Sequence, residues 1–360
     1  MEFLYQSGLF ATKALIIAGF LVGFIVFIVS LIMRQTGPQM PEHIEVVKLN
    51  DRLQREKETL QYSSMDEVSA MGQHKLQRNQ EKAERKAQKK ALKKSPPAVA
   101  LESHDPAQRP RVFVLDFDGD LQATAVGQLR RALSAVLAVA TPQDEIVVRL
   151  DSGGGVVHGY GLAASQLERV RGRGIKLTVC VDKVAASGGY MMACVASQLI
   201  CAPFAVIGSI GVVAQLPNFH RLLKKHDVDF ELLTAGQYKR TLTVFGENTE
   251  DGRQKFREDL EDTHQLFKEY VASQRPALDI ARVATGEIWL GKRALEMQLV
   301  DALMTSDEYL VTACERATVL EVKFVVRKKL QDRVMESFES SAERLLSKVW
   351  QRASARSWML

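Results

Sequence analysis

Val184-Ala185-Ala186-Ser187-Gly188-Gly189-Tyr190 joins an apolar strand-like run, Ile175–Val181, to a small-residue apolar stretch, Gly188–Ser197. Small residues on both sides of Ser187 allow a sharp turn and a close approach by another backbone. A serine at a helix start faces the positive end of the dipole and unpaired N–H groups. The Gly188 N–H is then placed to meet a developing oxyanion. The competing reading is an N-cap serine whose hydroxyl closes the helix end.

A serine nucleophile needs a base. The usual histidine is not offered, because none of the seven histidines lies in a matching motif. Lys239, 52 residues after Ser187, lies in Gly236-Gln237-Tyr238-Lys239-Arg240-Thr241 ahead of a long polar helix. A lysine serves as base when it is held neutral. Lowering a lysine pKa from about 10.4 to about 8 costs on the order of 3 kcal/mol in stabilisation of the charged form. Burial of Lys239 among apolar groups is the expected source.

Two further glycine-rich turns follow strand-like runs. Asp151-Ser152-Gly153-Gly154-Gly155 closes the run Glu145–Leu150. It lacks a G-x-G-x-x-G or Walker lysine, so a nucleotide role is disfavoured. The N–H of Gly154 or Gly155 is a candidate second oxyanion donor. In Gly208-Ser209-Ile210-Gly211-Val212, Ser209 is a candidate for orienting the lysine amine, against the simpler reading of a turn serine.

These motifs together resemble the signal peptide peptidase A family of membrane serine proteases, and within it the SohB-like subfamily. The resemblance runs from Arg111 to Leu303 and includes Trp289-x-Gly291 and Leu299-Val300-Asp301. It implies that Ser187 is the nucleophile and Lys239 the general base, with no metal and no cofactor. It implies an α/β fold of repeated β-β-α units, as in the Clp protease and crotonase folds, that assembles into homo-oligomers. Two positions depart from the family pattern. Gly153 stands where proline is usual, and Gln298 where glycine is usual before Leu-Val-Asp. The first loosens the oxyanion loop.

Three other chemistries compete. Val114-Leu115-Asp116-Phe117-Asp118-Gly119-Asp120 resembles the first motif of haloacid-dehalogenase-like phosphatases, in which Asp116 would attack phosphate and Asp118 act as acid and base. Asp120 stands where Thr or Val is usual, and the later lysine and paired acids are not evident. A crotonase-like acyl-CoA enzyme would need neither Lys239 nor a membrane anchor. A non-enzymatic membrane scaffold on a degenerate protease fold is the reading from a different class.

The chain carries 48 Lys+Arg against 43 Asp+Glu, a net +5. Nine basic and only two acidic residues fall within positions 75–94, so the excess belongs to a linker and not to the folded body. That distribution argues against a nucleic-acid partner. Four cysteines without CxxC spacing read as buried thiols.

Residues 14–33, ALIIAGFLVGFIVFIVSLIM, form twenty uncharged positions. At 1.5 Å rise each they span roughly 30 Å, a bilayer core. The end of this run, Ile32-Met33-Arg34-Gln35, offers no small-x-small cleavage site, so an uncleaved anchor is expected. Together with the resemblance, such an anchor implies a bacterial inner-membrane location. Basic residues after the anchor favour a cytoplasmic body, whereas the resemblance favours a periplasmic one.

The expected organisation is an anchor at 1–34, a charged, partly helical stalk at 35–110, a catalytic domain at 111–325 and an amphipathic helix within 326–360. The alternation of apolar strands and helices in the body argues an α/β class with buried strands. A long helix over 248–274 is expected to be capped by Asn248 or Thr249. The expected substrates are unfolded or membrane-derived peptides, which pair in extended form along glycine-lined backbone.

Overall fold

Parallel strands set the architecture, and their register brings the glycine-rich turns together. The structure is a computed structural model that describes residues 43–63, 86 and 109–325. In chain order its elements begin with β1 (His43–Lys48), α1 (Leu49–Ser63), β2 (Arg111–Gly119), α2 (Val126–Leu137), β3 (Glu145–Ser152) and α3 (Val157–Arg171). Then come β4 (Lys176–Val181), β5 (Val184–Ala186), α4 (Gly188–Ala193), β6 (Gln198–Cys201) and β7 (Val206–Gly208). The remainder is α5 (His220–Lys225), α6 (Glu250–Gln274), α7 (Ile280–Val283), β8 (Ile288–Leu290), α8 (Gly291–Glu296), β9 (Ala302–Leu303), α9 (Ser306–Arg316) and β10 (Thr318–Val325).

The sheet runs β1-β10-β2-β3-β4-β6-β9, and a branch leaves β3 through β5 to β7 and β8. The pairs from β10 through β9, and β3–β5–β7, are parallel; β7–β8 is antiparallel. Strands covered on both faces need continuous apolar runs. Accordingly Ile146, Val147, Val148 and Leu150 of β3, and Leu177, Val179 and Val181 of β4, are fully buried. Helix α2 buries Val126, Leu129, Leu133, Val136 and Leu137, a one-sided stripe at helical spacing. Each such large side chain contributes about 1.5–3 kcal/mol.

Polar groups at the start of β3 are paired. The buried Asp144 carboxylate accepts from the Arg111 N–H (3.0 Å), from Arg111 Nη2 (2.6 Å) and from the Thr141 N–H (2.8 Å). Burial alone would raise its pKa; the bonds from Arg111 and Thr141 outweigh burial and hold it below the usual carboxylate range. A depressed folded pKa stabilises the fold above the unfolded value of 3.8, and that contribution is lost as pH falls through the folded pKa. Asp144→Ala should cost about 2 kcal/mol at neutral pH. The gap to wild type should close in acid, as measured by urea unfolding at a series of pH values. A gap that persists unchanged to pH 2 would contradict this account.

One boundary differs from the sequence expectation. Residues 43–63, expected in the stalk, join the body: β1 lies beside β10, and Leu49 is buried in the core with Val112, Val147 and Leu310. Asn50 fixes the junction by donating to the Cys314 and Ala317 carbonyls and accepting from the Val319 N–H. Thr249, one of the two expected caps, accepts from the Gly252 N–H at the start of α6. Cys180, Cys194 and Cys201 are buried and Cys314 is partly so, all free thiols. The expected anchor at 14–33, the basic run apart from Lys86, and the C-terminal amphipathic helix lie outside the described residues. Among the described residues no helix is long and apolar enough to cross a membrane.

Candidate active site

Register explains how four motifs distant in sequence meet. Ser152 at the end of β3 pairs with Ala185 of β5. Ala186, the next residue of β5, pairs with Gly208 of β7, and Ile207 pairs with Trp289 of β8. The turns leaving β3, β5 and β7 therefore emerge side by side at one end of the sheet. In parallel α/β sheets this carboxyl end is where ligands bind.

Ser187 occupies the turn between β5 and α4. Its backbone sits at φ 52°, ψ −120°, a combination that L-residues seldom adopt. Holding a non-glycine residue in such a region costs about 1–3 kcal/mol, and strain of this kind clusters at active sites. The Ser187 N–H donates to the Gly208 carbonyl at 2.8 Å, which anchors the strained residue to β7. Ser187 stands at the N-cap of α4, yet its hydroxyl makes no capping bond. The structural alternative of a helix-closing serine is thereby removed: the hydroxyl is left for other work.

Gly154 lies against this turn. It has φ +88°, and a methyl there would fall 2.6 Å from the Gly188 nitrogen and 2.8 Å from Ser187 Cβ. Its N–H donates to Ser152 Oγ at 3.1 Å. The Gly155 N–H has no acceptor among the described residues, and the Gly155 Cα is pressed onto the Leu121 backbone. Gly188, at the first position of α4, has its N–H outside the helical ladder.

Ser209 is strained as well, at φ 50°, with its N–H on the Glu287 carbonyl at 2.7 Å. The next carbonyl, that of Ile210, meets His264 Nε2 at 3.2 Å, a contact in which that nitrogen donates. Trp289 covers the same turn, so that a methyl on Gly208 would lie 2.9 Å from its Cδ1.

Lys239 is placed differently from the sequence expectation. It is exposed, on a segment between β7 and α6 whose side chains are mostly exposed. Among the described residues of this single chain, its amine is hydrogen-bonded to neither Ser187 nor Ser209. Burial among apolar groups is thus not met within one chain. The segment closes on itself: Phe245 stacks with Phe219 at 6.1 Å and tilts toward Phe230 at 5.7 Å. Leu216, Leu233 and Tyr238 on it remain exposed.

Asp116 is a correction to the phosphatase alternative. It sits within β2 opposite Arg149 of β3, and both its oxygens accept from that guanidinium, at 2.6 and 2.8 Å. A carboxylate committed to a two-bond ion pair is a poor nucleophile. Asp118 lies two residues on, at a solvent-facing position. Among the described residues no group of three His, Cys, Asp or Glu side chains is arranged to hold a metal ion.

Comparison with known proteins places the chain in a family. The model for the peptidase family S49 N-terminal region matches residues 2–167, and that for peptidase family S49 matches residues 169–320. The chain belongs to peptidase family S49. Among its S49 relatives, the probable protease SohB of Haemophilus influenzae is 58% identical over 231 residues, 64% of this chain and 65% of that protein's length. The probable protease SohB of Buchnera aphidicola subsp. Acyrthosiphon pisum is 55% identical over 240 residues, covering 67% of this chain and 71% of that one. A SohB relative from Buchnera aphidicola subsp. Baizongia pistaciae is 41% identical over 326 residues, 90% of this chain and 91% of the other. The S49 matches span the Ser187, Gly154 and Lys239 turns, and the mixed α/β sheet suits a Clp-protease-like peptidase.

Proposed function

We propose that this chain is a serine endopeptidase that acts on extended, unfolded or membrane-derived peptides at a bacterial inner membrane, anchored by residues 14–33. The observation that carries the reading is Ser187: strained, at a helix start, its hydroxyl making no capping bond, with glycine backbone packed against it. Ser187 Oγ attacks the peptide carbonyl carbon while its proton passes to Lys239 Nζ. The Gly188 and Gly155 N–H groups meet the oxyanion; the Gly154 N–H, the alternative donor, is already engaged with Ser152. Collapse of the tetrahedral intermediate breaks the C–N bond, and Lys239 returns the proton to the leaving amine. Water then cleaves the acyl ester by the same route. Ser209 orients the lysine.

Lys239 needs an apolar setting to act as a base, and self-assembly supplies one. Leu233 is 91% exposed and Val213 80% on the segment that carries Lys239. Covering such side chains by neighbouring copies would bury the lysine beside a serine of its own or an adjacent chain.

Because the base acts unprotonated, kcat/KM should rise with pH above the histidine range near 6.5. Lys239→Ala should lower peptide hydrolysis by about 10³-fold or more, with the assembly retained in sedimentation. The rise should persist in a chelator. A rise centred near pH 6, or full activity in Lys239→Ala, would displace the dyad.

A further inference from the structure

Tyr160 of α3 is fully buried, packs against the Gly188 backbone and reaches the Gly154 turn through Ser152. Its ring underlies Gly188, so closely that a methyl on that glycine would overlap ring carbons Cγ and Cδ2. Its hydroxyl lies 2.5 Å from Ser152 Oγ and donates to the Asp120 carbonyl at 2.7 Å. Ser152 is buried too, and its Oγ accepts from the Gly154 N–H at 3.1 Å.

Counting protons orders these contacts. A tyrosine hydroxyl has one proton. Tyr160 donates it to the Asp120 carbonyl at 2.7 Å, so at 2.5 Å its oxygen accepts from the Ser152 hydroxyl, for which the Gly119 carbonyl at 3.2 Å is the longer, competing acceptor. The Ser152 oxygen in turn accepts from Gly154. The result is a directed chain, Gly154 N–H to Ser152 O–H to Tyr160 O–H to the Asp120 carbonyl. Bonds that run in one sense polarise one another in a dry interior. The far end is secured, because Asp120 accepts from the Thr124 N–H and hydroxyl at 2.8 and 2.6 Å. The Val156 N–H ties the other side of the glycine turn to the Leu121 carbonyl at 2.9 Å.

We infer that Tyr160, acting through Ser152, is a positioning residue that keeps the Gly154-Gly155 turn and the Gly188 backbone in mutual register as the two halves of one oxyanion site. The inference rests on the proposed role of Ser187. Gly153, the residue after Ser152, adds no stiffness of its own to the turn. Side-chain bonds from beneath supply the rigidity. Gly153 itself has no neighbour within 4 Å of where a Cβ would stand, so packing does not hold it.

The test compares full-length wild type, Tyr160→Phe, Ser152→Ala and the double variant. Each is assayed with a peptide substrate and with a matched peptide aldehyde, whose hemiacetal oxygen occupies the oxyanion position. Tyr160→Phe should lower kcat about ten-fold with KM unchanged, and weaken aldehyde binding by a similar factor. Ser152→Ala should do the same, and the double variant should lose little more than the worse single one. Should Tyr160→Phe not fold, Ser152→Ala carries the same comparison. Wild-type kcat and aldehyde affinity in these variants would overturn the inference. So would losses in which KM rises and the ratio of aldehyde to substrate affinity stays fixed, the mark of a merely structural role. Activity in Ser187→Ala would instead sink the underlying nucleophile assignment, which keeps the two failures distinct.

Discussion

Ser187→Ala should lower peptide hydrolysis by about 10⁴-fold or more, because it removes the proposed attacking atom. The same variant should lose labelling by a fluorophosphonate probe. Its fold should be unaffected, since the Ser187 hydroxyl makes no capping bond at α4. The positive φ of 52° adds a second expectation. Ser187→Gly, equally inactive, removes the Cβ that makes this backbone costly. It should match or exceed the wild type in stability, by up to about 1 kcal/mol, even though glycine elsewhere is destabilising. Thermal unfolding of the three proteins side by side reads this directly. An active Ser187→Ala, or a Ser187→Gly that unfolds well below Ser187→Ala, would contradict the strained-nucleophile account.

Gly154→Ala should be nearly as damaging through a different route. The added methyl would stand 2.6 Å from the Gly188 nitrogen, 2.8 Å from the Ala186 carbonyl oxygen and 2.8 Å from Ser187 Cβ. Two of these neighbours are backbone and cannot swing aside, and the φ of +88° disfavours any side chain. The turn must move as a whole, taking its oxyanion donor with it. A loss of about 10²–10³-fold in kcat is expected, the scale of one missing oxyanion donor. Gly153→Ala is the control, because its Cβ would meet open space; activity there should stay within a few-fold of wild type. Equal losses in the two variants would show that the glycine-rich turn matters for flexibility and not for close approach.

The strands were legible because parallel sheets are written as unbroken apolar runs. β3 and β4 were expected within one or two residues of where they stand. The three-residue strands β5, β7 and β8 were not separable from the turns they serve, since so few positions carry no period. β1 was hidden by composition: His43–Lys48 mixes charge with valine and reads as stalk. Ser187, Gly154, Gly155, Gly188 and Ser209 stood out in the sequence because tight turns demand small residues at fixed offsets, and the structure brings the turns that carry them together. Tyr160 could not, since a buried aromatic on a helix looks like ordinary core; its role depends on which backbone lies against its ring. Lys239 was singled out by motif, but its exposure was not foreseen, because a segment between two elements carries no period that tells a buried position from an exposed one.

The branching of the sheet at β3 carries a mechanical implication. β3 runs beside β4 for most of its length and meets β5 through the single register pair Ser152↔Ala185. The glycine turn thus belongs to the broad layer and Ser187 to the narrow one, with one seam between them. A shear of about an ångström across that seam would misalign attack without breaking any strand, and displacements of that size can cost about 100-fold in rate. Turnover is therefore the most sensitive gauge of how the two layers sit. Mild heat, denaturant or a distant core substitution should silence this enzyme while its sheet is still intact by every spectroscopic measure.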